Sequence, residues 1–277
     1  MARGLLGATA LVALPAVATA QGNLTVTGSD TMLQLAQAWA GGFMSARPGT
    51  SVTVSGGGTG RGIAALINGS SDVANASRVM RGREVDRAKL RGFIPFQNPV
   101  ARDGLAIIVN PRNPITRISI EQLRGIYSGA TRNWSQLGGP QQAIVAVGRD
   151  SSSGTFGFFQ DAVLGAGRPY RADMISAPST NSIAQMVAQD LGAIGYVGIA
   201  YARAFGDRVK VLPVFEGSGQ AVEPTDANVR NGTYPLWRYL YMYTRGRPTG
   251  IVRAFIDWVR SDAGQDAVER IGFYRVN

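Results

Sequence analysis

The residues with the clearest chemical potential lie in the run Gly148–Gly165, GRDSSSGTFGFFQDAVLG. An arginine, an aspartate and three serines stand directly before an apolar run in which Phe156, Phe159 and Val163 recur at helical spacing. The polar residues are therefore predicted at a helix N-terminus, where backbone N–H groups have no intrahelical acceptor and the helix dipole is positive. Such a position favours the binding of an anion.

Three further polar clusters follow predicted strands: GSDTM (Gly28–Met32), GGGTGRGI (Gly56–Ile63) and ASR (Ala76–Arg78). Each has an ordinary explanation when taken singly: a helix cap, a tight glycine turn or a solvated arginine. The glycine-rich turn lacks both the Lys-Ser/Thr ending of a nucleotide phosphate loop and the acidic residue of a dinucleotide fingerprint. Open α/β sheets bind ligands beyond the carboxyl ends of their strands. Four clusters at such positions together predict a cleft for a small oxyanion.

The composition disfavours an enzyme. The 277 residues include no cysteine and no histidine, which excludes thiolate chemistry and removes the usual general base. A phosphatase or esterase could use one of Ser151–Ser153 as its nucleophile, but that serine needs a nearby base. Both lysines, Lys89 and Lys210, lie outside the four clusters. We therefore predict no catalytic residue, no metal ligand and no cofactor.

The charge balance favours anionic ligands. The formal net charge is +10, and nearly all the positive charge is arginine. Because the arginines are scattered and match no RNP-type or helix-turn-helix pattern, we predict no nucleic-acid partner.

The N-terminus has the form of a secretory signal peptide in residues 1–20. Arg3 precedes an apolar stretch from Leu5 to Ala18, and Ala18–Ala20 forms an A-x-A cleavage site before Gln21. No cysteine follows, so no lipid anchor is expected, and no later segment reaches the roughly 20 apolar residues of a membrane span. The prediction is a soluble periplasmic protein.

Strand-like and helix-like segments alternate along the remaining chain, which predicts an α/β fold with mainly parallel sheets. The predicted strands are 24–28, 51–56, 72–78, 104–110, 143–148, 194–202, 209–215 and 238–244, and the predicted helices are 32–43, 60–67, 120–127, 182–189, 250–259 and 264–270, together with the one that follows residue 155. The apolar strands Gly104–Asn110 and Arg238–Thr244 could carry the chain between two lobes. Residues 21–103 with 238–277 would then form the first lobe, and residues 104–237 the second.

The four clusters, in this order and at these spacings, resemble the phosphate-binding periplasmic proteins that feed phosphate ABC transporters. The similarity extends to GLAIIVN (Gly104–Asn110), IYSG…NW (Ile126–Trp134) and GAIGYVGIAY (Gly192–Tyr201). It implies a type 2 periplasmic-binding-protein fold, with two α/β lobes and a ligand cleft between them. It also implies inorganic phosphate as ligand, permease subunits of the transporter as partners, and a monomer.

The resemblance implies a set of phosphate ligands on the residues that match the family's motifs. Thr59 stands where the family usually has a serine. The implied ligands are Ser29, Thr31, Met32, Thr59, Arg149, Ser153, Gly154 and Thr155. The predicted binding set also includes Asp30, Gly60, Ser77 and Arg78 from the same clusters.

One position departs from the best-known members, which carry an aspartate near the end of the third strand that accepts the phosphate's own proton. Here the neighbourhood reads ASR, and an Arg78 that pointed into the cleft would make the site more cationic. The acceptor could instead be Asp30 or Asp150, although Asp150 could also orient Arg149 through a side-chain pair. Sulfate or another tetrahedral oxyanion is therefore the alternative ligand.

Overall fold

The computed structural model describes residues 22–276. The predicted signal peptide, residues 1–20, lies outside the described residues. Within residues 22–276, none of the helices combines the length and the apolar character that crossing a membrane requires.

Strands and helices interleave along the described chain, so the predicted α/β class is confirmed. The strands are β1 Gly22–Gly28, β2 Thr50–Ser55, β3 Val73–Ala76, β4 Pro95–Val109, β5 Ile118–Ser119, β6 Val145–Gly148, β7 Ile175–Ser176, β8 Ala193–Gly198, β9 Lys210–Leu212, β10 Val214–Phe215 and β11 Trp237–Arg245. The α-helices are α1 Leu33–Ala46, α2 Thr59–Asn68, α3 Gly82–Leu90, α4 Ile120–Ser128, α5 Gly154–Phe159, α6 Thr180–Gln189, α7 Ile199–Phe205, α8 Asp226–Arg230, α9 Gly250–Arg260 and α10 Asp262–Ile271. A π-helical segment, Gln160–Leu164, continues α5, and the 3-10 turn Asp30–Met32 precedes α1.

Most strands join one curled sheet in the order β2-β1-β3-β11-β4-β8-β6-β7, with β9 also pairing with β4. The pairs of β1 with β2 and β3, and of β6 with β7 and β8, are parallel. The two parallel regions are joined by antiparallel β11 and β4. The sheet is therefore mixed, with the predicted parallel pairing confined to its two ends.

Strand β4 spans both halves of the molecule. Its first part pairs with β11 from Pro95 to Gly104, and its second part pairs with β8 and β9 from Leu105 onward. The change of partner falls beside the predicted lobe boundary at 103/104, which itself stays a prediction.

Helices and strands contribute buried side chains to the core in different patterns. Helix α1 buries Leu35, Trp39 and Phe43 on one face, at the spacing of one or two helical turns. Residues Leu105–Val109 of β4 are all buried, as expected for a strand covered on both faces. Burying each large apolar side chain contributes about 1.5–3 kcal/mol, so this strand is a rigid base for the loops at its ends.

Two predicted strands are wrong in part. The segment 194–202 is a strand only to Gly198, after which α7 begins, because the buried Asp103 carboxylate accepts the Ile199 N–H at 3.1 Å and caps the helix. The segment 209–215 is divided into β9 and β10 at Pro213, which has no N–H to donate to a strand ladder.

Two helical glycines provide a test of how tightly α2 packs on β1. A Cβ added to Gly62 would lie 2.6 Å from Gly28 Cα and closer still to the Thr27 carbonyl oxygen, whereas one added to Gly41 of α1 would meet nothing within 4 Å. We expect Gly41→Ala to raise the free energy of unfolding by about 0.5–1 kcal/mol, because alanine is the better helix former. Gly62→Ala should lower it despite the same gain in propensity. Urea denaturation followed by circular dichroism measures both variants, and equal effects would contradict the close approach.

Candidate functional site

Hydroxyl groups from all four clusters converge in one buried group. Ser29 Oγ donates to Ser77 Oγ at 2.9 Å, and Thr59 Oγ1 lies 3.4 Å from Ser77 Oγ and accepts the Ser77 N–H at 3.1 Å. Thr31 Oγ1 lies 2.8 Å from Thr155 Oγ1, although the two residues are 124 positions apart. All of these side chains are buried. The clusters predicted to form one site therefore do meet.

Helix α5 reaches this hydroxyl group through its first residue. A Cβ added to Gly154 would lie 2.5 Å from Ser77 Oγ and closer to Thr59 Oγ1, so only glycine allows this approach. The buried Ser153 caps the helix by accepting the Phe156 N–H at 3.3 Å. The positive N-terminal end of α5 therefore lies directly beside these hydroxyls.

The glycine-rich turn contacts the serine run directly. The Gly60 N–H donates to the Ser152 carbonyl at 2.8 Å, and Ser152 Oγ is 3.4 Å from the Gly57 carbonyl. Gly57 and Gly58 have φ values of +108° and +102°, which glycine adopts without strain. A Cβ on Gly58 would lie 2.7 Å from the Ser152 carbonyl oxygen. The turn therefore requires glycines for the two halves of the molecule to close on each other.

Arg149 is the most central cation of the predicted set. Its side chain is buried, one terminal nitrogen pairs with the Asp30 carboxylate, and the other lies 3.4 Å from Thr180 Oγ1. Its Nε is buried and has no acceptor among the described residues. Asp30 in turn accepts the Gly57 N–H at 2.8 Å. Asp30, and not Asp150, therefore orients Arg149.

Asp150 has a local structural role. Its carboxylate accepts the Ser152 N–H at 2.7 Å and so closes the turn before α5. Partial burial opposes ionisation of this carboxyl, but the hydrogen bonds from Ser152 outweigh it and lower its pKa.

Arg78 lies beside the site but its charge is balanced. Its guanidinium forms two hydrogen bonds of 2.8 Å with the two carboxylate oxygens of Glu84, and it donates to the Val79 carbonyl at 3.0 Å. Its side chain packs against Gly157 of α5, where an added Cβ would lie 3.0 Å from Arg78 Cδ. The more cationic site that Arg78 could have produced is therefore not formed. Burial alone would raise the pKa of Glu84, but hydrogen bonds from Arg78 and the Arg81 N–H reverse this and lower it.

Two of the predicted backbone donors are engaged within the protein. The Met32 N–H donates to the Ser29 carbonyl at 3.1 Å, and the Gly60 N–H to Ser152 as described. The Met32 side chain belongs to the core. These N–H groups would have to exchange partners to contact a ligand.

Sequence reasoning missed a pair of charged residues directly behind the hydroxyls. Arg238 donates to the Asp103 carboxylate at 3.0 and 2.7 Å, to the Ser77 carbonyl at 3.0 Å and to Thr155 Oγ1 at 3.1 Å. Asp103 is fully buried, and burial raises the pKa of its carboxyl although Arg238 and the Ile199 N–H oppose the shift. The signal in the sequence is a charged residue at the edge of each of two apolar segments: Asp103 directly precedes Gly104–Asn110, and Arg238 begins Arg238–Thr244.

The electrostatic balance of the site is neutral. Two buried arginines belong to the four clusters and a third, Arg238, contacts Thr155. Each is paired with one carboxylate: Arg149 with Asp30, Arg78 with Glu84, and Arg238 with Asp103. Burying a cation without such a partner would be very costly. The arrangement offers an anion many hydrogen-bond donors in a place shielded from water, which suits a small oxyanion.

The chain is similar to known proteins along most of its length. A family model described as a PBP superfamily domain matches residues 14–263. The phosphate-binding protein PstS of Bacillus subtilis is 34% identical over 249 residues, which cover 90% of this chain and 79% of that protein. PstS of Pseudomonas aeruginosa is 32% identical over 270 residues, which cover 91% of this chain and 82% of that protein.

Solved structures share the architecture. A substrate-binding protein from Clostridium perfringens, assigned to a phosphate ABC transporter and solved with bound phosphate, has a TM-score of 0.83 at 28% identity and covers 92% of this chain and 100% of its own. An ABC-type phosphate transport receptor from Vibrio cholerae has a TM-score of 0.75 at 27% identity, with coverage of 91% and 99%. The predicted two-lobed type 2 periplasmic-binding-protein fold is confirmed.

The Arg78–Glu84 pair should make stability depend on pH. Because the folded-state pKa of Glu84 lies below its unfolded value of about 4.3, the pair stabilises the protein above that pH and is lost as pH falls through the folded pKa. We expect Glu84→Gln to reduce the free energy of unfolding by roughly 1.5–3 kcal/mol at pH 7. The difference from the native protein should shrink toward pH 3. Urea denaturation at a series of pH values measures this difference.

The matched control is Glu269→Gln. Glu269 is half exposed and pairs with Arg275 at 3.0 Å, so its loss should cost less than about 1 kcal/mol. A Glu84→Gln effect that stayed constant from pH 7 to pH 3 would show that the carboxylate charge does not stabilise the fold.

Proposed function

Since this chain belongs to the phosphate-binding protein family within the PBP superfamily, we propose that it captures inorganic phosphate between its two lobes and delivers it to an ABC transporter. The proposed site is the buried hydroxyl group together with Arg149 and the N-terminus of α5. The protein acts as a receptor and not as an enzyme.

The observation that carries the proposal is the convergence of Arg149 with hydroxyls from both halves of the sheet. Arg149 Nε is a buried donor with no acceptor among the described residues. The guanidinium pairs with Asp30, which stands in the chain between the hydroxyl residues Ser29 and Thr31. A hydrogen bond to a charged group contributes about 1.5–3 kcal/mol. Several such bonds offset the high cost of removing a phosphate dianion from water.

Binding without hydrolysis agrees with the surroundings of the serine run. Ser153 uses its hydroxyl to cap α5, and Ser152 lies against the glycine-rich turn. A serine nucleophile needs a base that takes its proton, and the sequence holds no histidine. The serine run thus serves the proposed site as a source of hydrogen-bond donors.

The same proposal covers the location and the partners. A signal peptide at residues 1–20 would export the chain to the periplasm, where it acts as a soluble monomer. The permease subunits of a phosphate ABC transporter would receive the ligand. The high arginine content attracts anionic solutes and is not assigned to nucleic acid.

Selectivity for phosphate over sulfate is proposed to depend on Asp30. Phosphate at neutral pH carries a hydrogen that needs an acceptor, whereas sulfate carries none. A carboxylate near the anion therefore accepts that hydrogen and repels the fully ionised competitor. Arg78 stands in the region where the family's aspartate is expected. Asp30 is the candidate in its place, because its carboxylate forms an ion pair with Arg149.

Titration calorimetry with phosphate, sulfate and arsenate tests the proposed ligand. The native protein should bind one phosphate and bind sulfate more weakly. Arg149→Ala should weaken phosphate binding more than tenfold, about 1.4 kcal/mol, because it removes the central guanidinium and leaves Asp30 unpaired. Native protein that binds sulfate and not phosphate would overturn the assignment of the ligand.

Two further arginine variants control for charge and for stability. Arg149→Lys should restore part of the affinity, since lysine keeps the charge but loses the planar fork. Arg132→Ala removes an exposed arginine that pairs with Asp173 at 2.9 Å, and it should leave the phosphate affinity unchanged. If Arg149→Ala binds phosphate as tightly as Arg132→Ala does, the assigned site is wrong.

Competition titrations on Asp30→Asn test the origin of selectivity. We expect the variant to lose phosphate affinity and to gain sulfate affinity, so that the ratio of the two affinities falls at least tenfold. The reason is that an asparagine amide can no longer repel the sulfate dianion.

The matched control for selectivity is Asp150→Asn. Asp150 closes an exposed turn through the Ser152 N–H, so its substitution should weaken phosphate modestly and keep sulfate excluded. If the Asp30→Asn variant binds sulfate as weakly as the Asp150→Asn variant does, a group other than Asp30 sets the selectivity.

A further inference from the structure

The Asp103–Arg238 pair lies where the two halves of the molecule join, immediately behind the hydroxyl group. Asp103 and Arg238 face each other across β4 and β11, one pair before the end of this pairing at Gly104, after which β4 changes its partner. Both side chains are buried, with 0% and 3% of the side chain exposed. The guanidinium is also 5.2 Å from the centre of the Phe158 ring of α5. This pair is therefore in contact with elements from both sides of the proposed cleft.

Arg238 makes contacts that an ion pair alone would not need. Its Nε and Nη2 both reach the Asp103 carboxylate, which already satisfies the charge. The remaining bonds go to the Ser77 carbonyl, after β3, and to the Thr155 hydroxyl, at the start of α5. One guanidinium thus fixes the spacing between a residue of the first parallel region and a residue of the second.

The bond to Thr155 also determines how that hydroxyl can be used. A guanidinium only donates hydrogen bonds, so Thr155 Oγ1 must be the acceptor in this contact. The hydroxyl hydrogen is then directed away from Arg238, toward Thr31 Oγ1 at 2.8 Å or toward an oxyanion in the same place. Arg238 therefore holds Thr155 in the orientation in which it donates to an anion.

We propose that Arg238 is a positioning residue of the anion site, which acts through Thr155 by making its hydroxyl a hydrogen-bond donor. The inference rests on the proposed function, because it takes the hydroxyl group to be the place where phosphate binds. Asp103 keeps the guanidinium in place by balancing its charge and by accepting the Ile199 N–H at the start of α7.

The test is a double-mutant cycle between Arg238→Lys and Thr155→Val, with phosphate and sulfate affinities measured by calorimetry. Lysine retains the positive charge beside Asp103, but it lacks the planar guanidinium that donates to Asp103, Ser77 and Thr155 at the same time. Arg238→Lys should weaken phosphate binding at least tenfold when Thr155 is present and less than threefold in the Thr155→Val background. Thr155→Ser, which retains the hydroxyl, should restore the tenfold effect. Equal losses in the two backgrounds would overturn the proposal, since they would mean that Arg238 acts without Thr155.

A second comparison leaves Arg238 unchanged and covers the case in which Arg238→Lys does not fold. Thr155→Val and Thr31→Val each remove one hydroxyl of the proposed site, but only Thr155 accepts a hydrogen bond from Arg238. We expect Thr155→Val to weaken binding at least fivefold more than Thr31→Val, and equal losses would refute the positioning role.

The native protein distinguishes failure of this proposal from failure of the ligand assignment. If it binds only sulfate, the phosphate assignment fails, and the two variants are compared by their sulfate affinities instead. A native protein that binds neither anion would overturn both proposals.

Discussion

The structure depends on the requirement that a buried guanidinium have a carboxylate partner. Three arginines enter the interior around one group of hydroxyls, and each is paired with a single acid. Because a buried unpaired charge is very costly, removing either member of a pair would destabilise the fold as well as the site. The result is a place rich in hydrogen-bond donors but without excess charge, where an incoming dianion meets donors that are already oriented.

The pairs are placed so that each connects elements distant in the sequence. Asp30 follows β1 and Arg149 follows β6, so their contact joins the ends of the two parallel regions. Asp103 and Arg238 lie on the long strands that connect those regions. Charge pairing and the contact between the two parallel regions are therefore coupled, since the Asp30–Arg149 pair forms only when both regions are in contact.

The glycines of the site allow the same contact between the two regions. Gly57 and Gly58 adopt positive φ values next to Ser152, and Gly154 lies against Ser77 and Thr59. A side chain at Gly58 would meet Ser152, and one at Gly154 would meet Ser77 and Thr59, so either would hold the two regions apart. The glycine-rich turn thus replaces side-chain bulk with backbone contact, which allows hydroxyls from both regions to come within hydrogen-bond distance.

The sequence by itself determined the class of fold and the positions of the polar clusters, because the apolar spacing of a strand or a helix is visible within a short stretch of the chain. It predicted β1, β2 and β6 closely, with the turns that follow them, and the polar clusters that it singled out do lie together. It did not reveal α3, whose only buried residue is Ala88 and whose start depends on the Glu84 carboxylate and the Arg81 N–H. Only the tertiary structure decided which acid pairs with which arginine, that Asp30 and not Asp150 orients Arg149, and that Asp103 and Arg238 stand behind the site. Such pairings join residues up to 135 positions apart, and local periodicity carries no information about contacts at that separation.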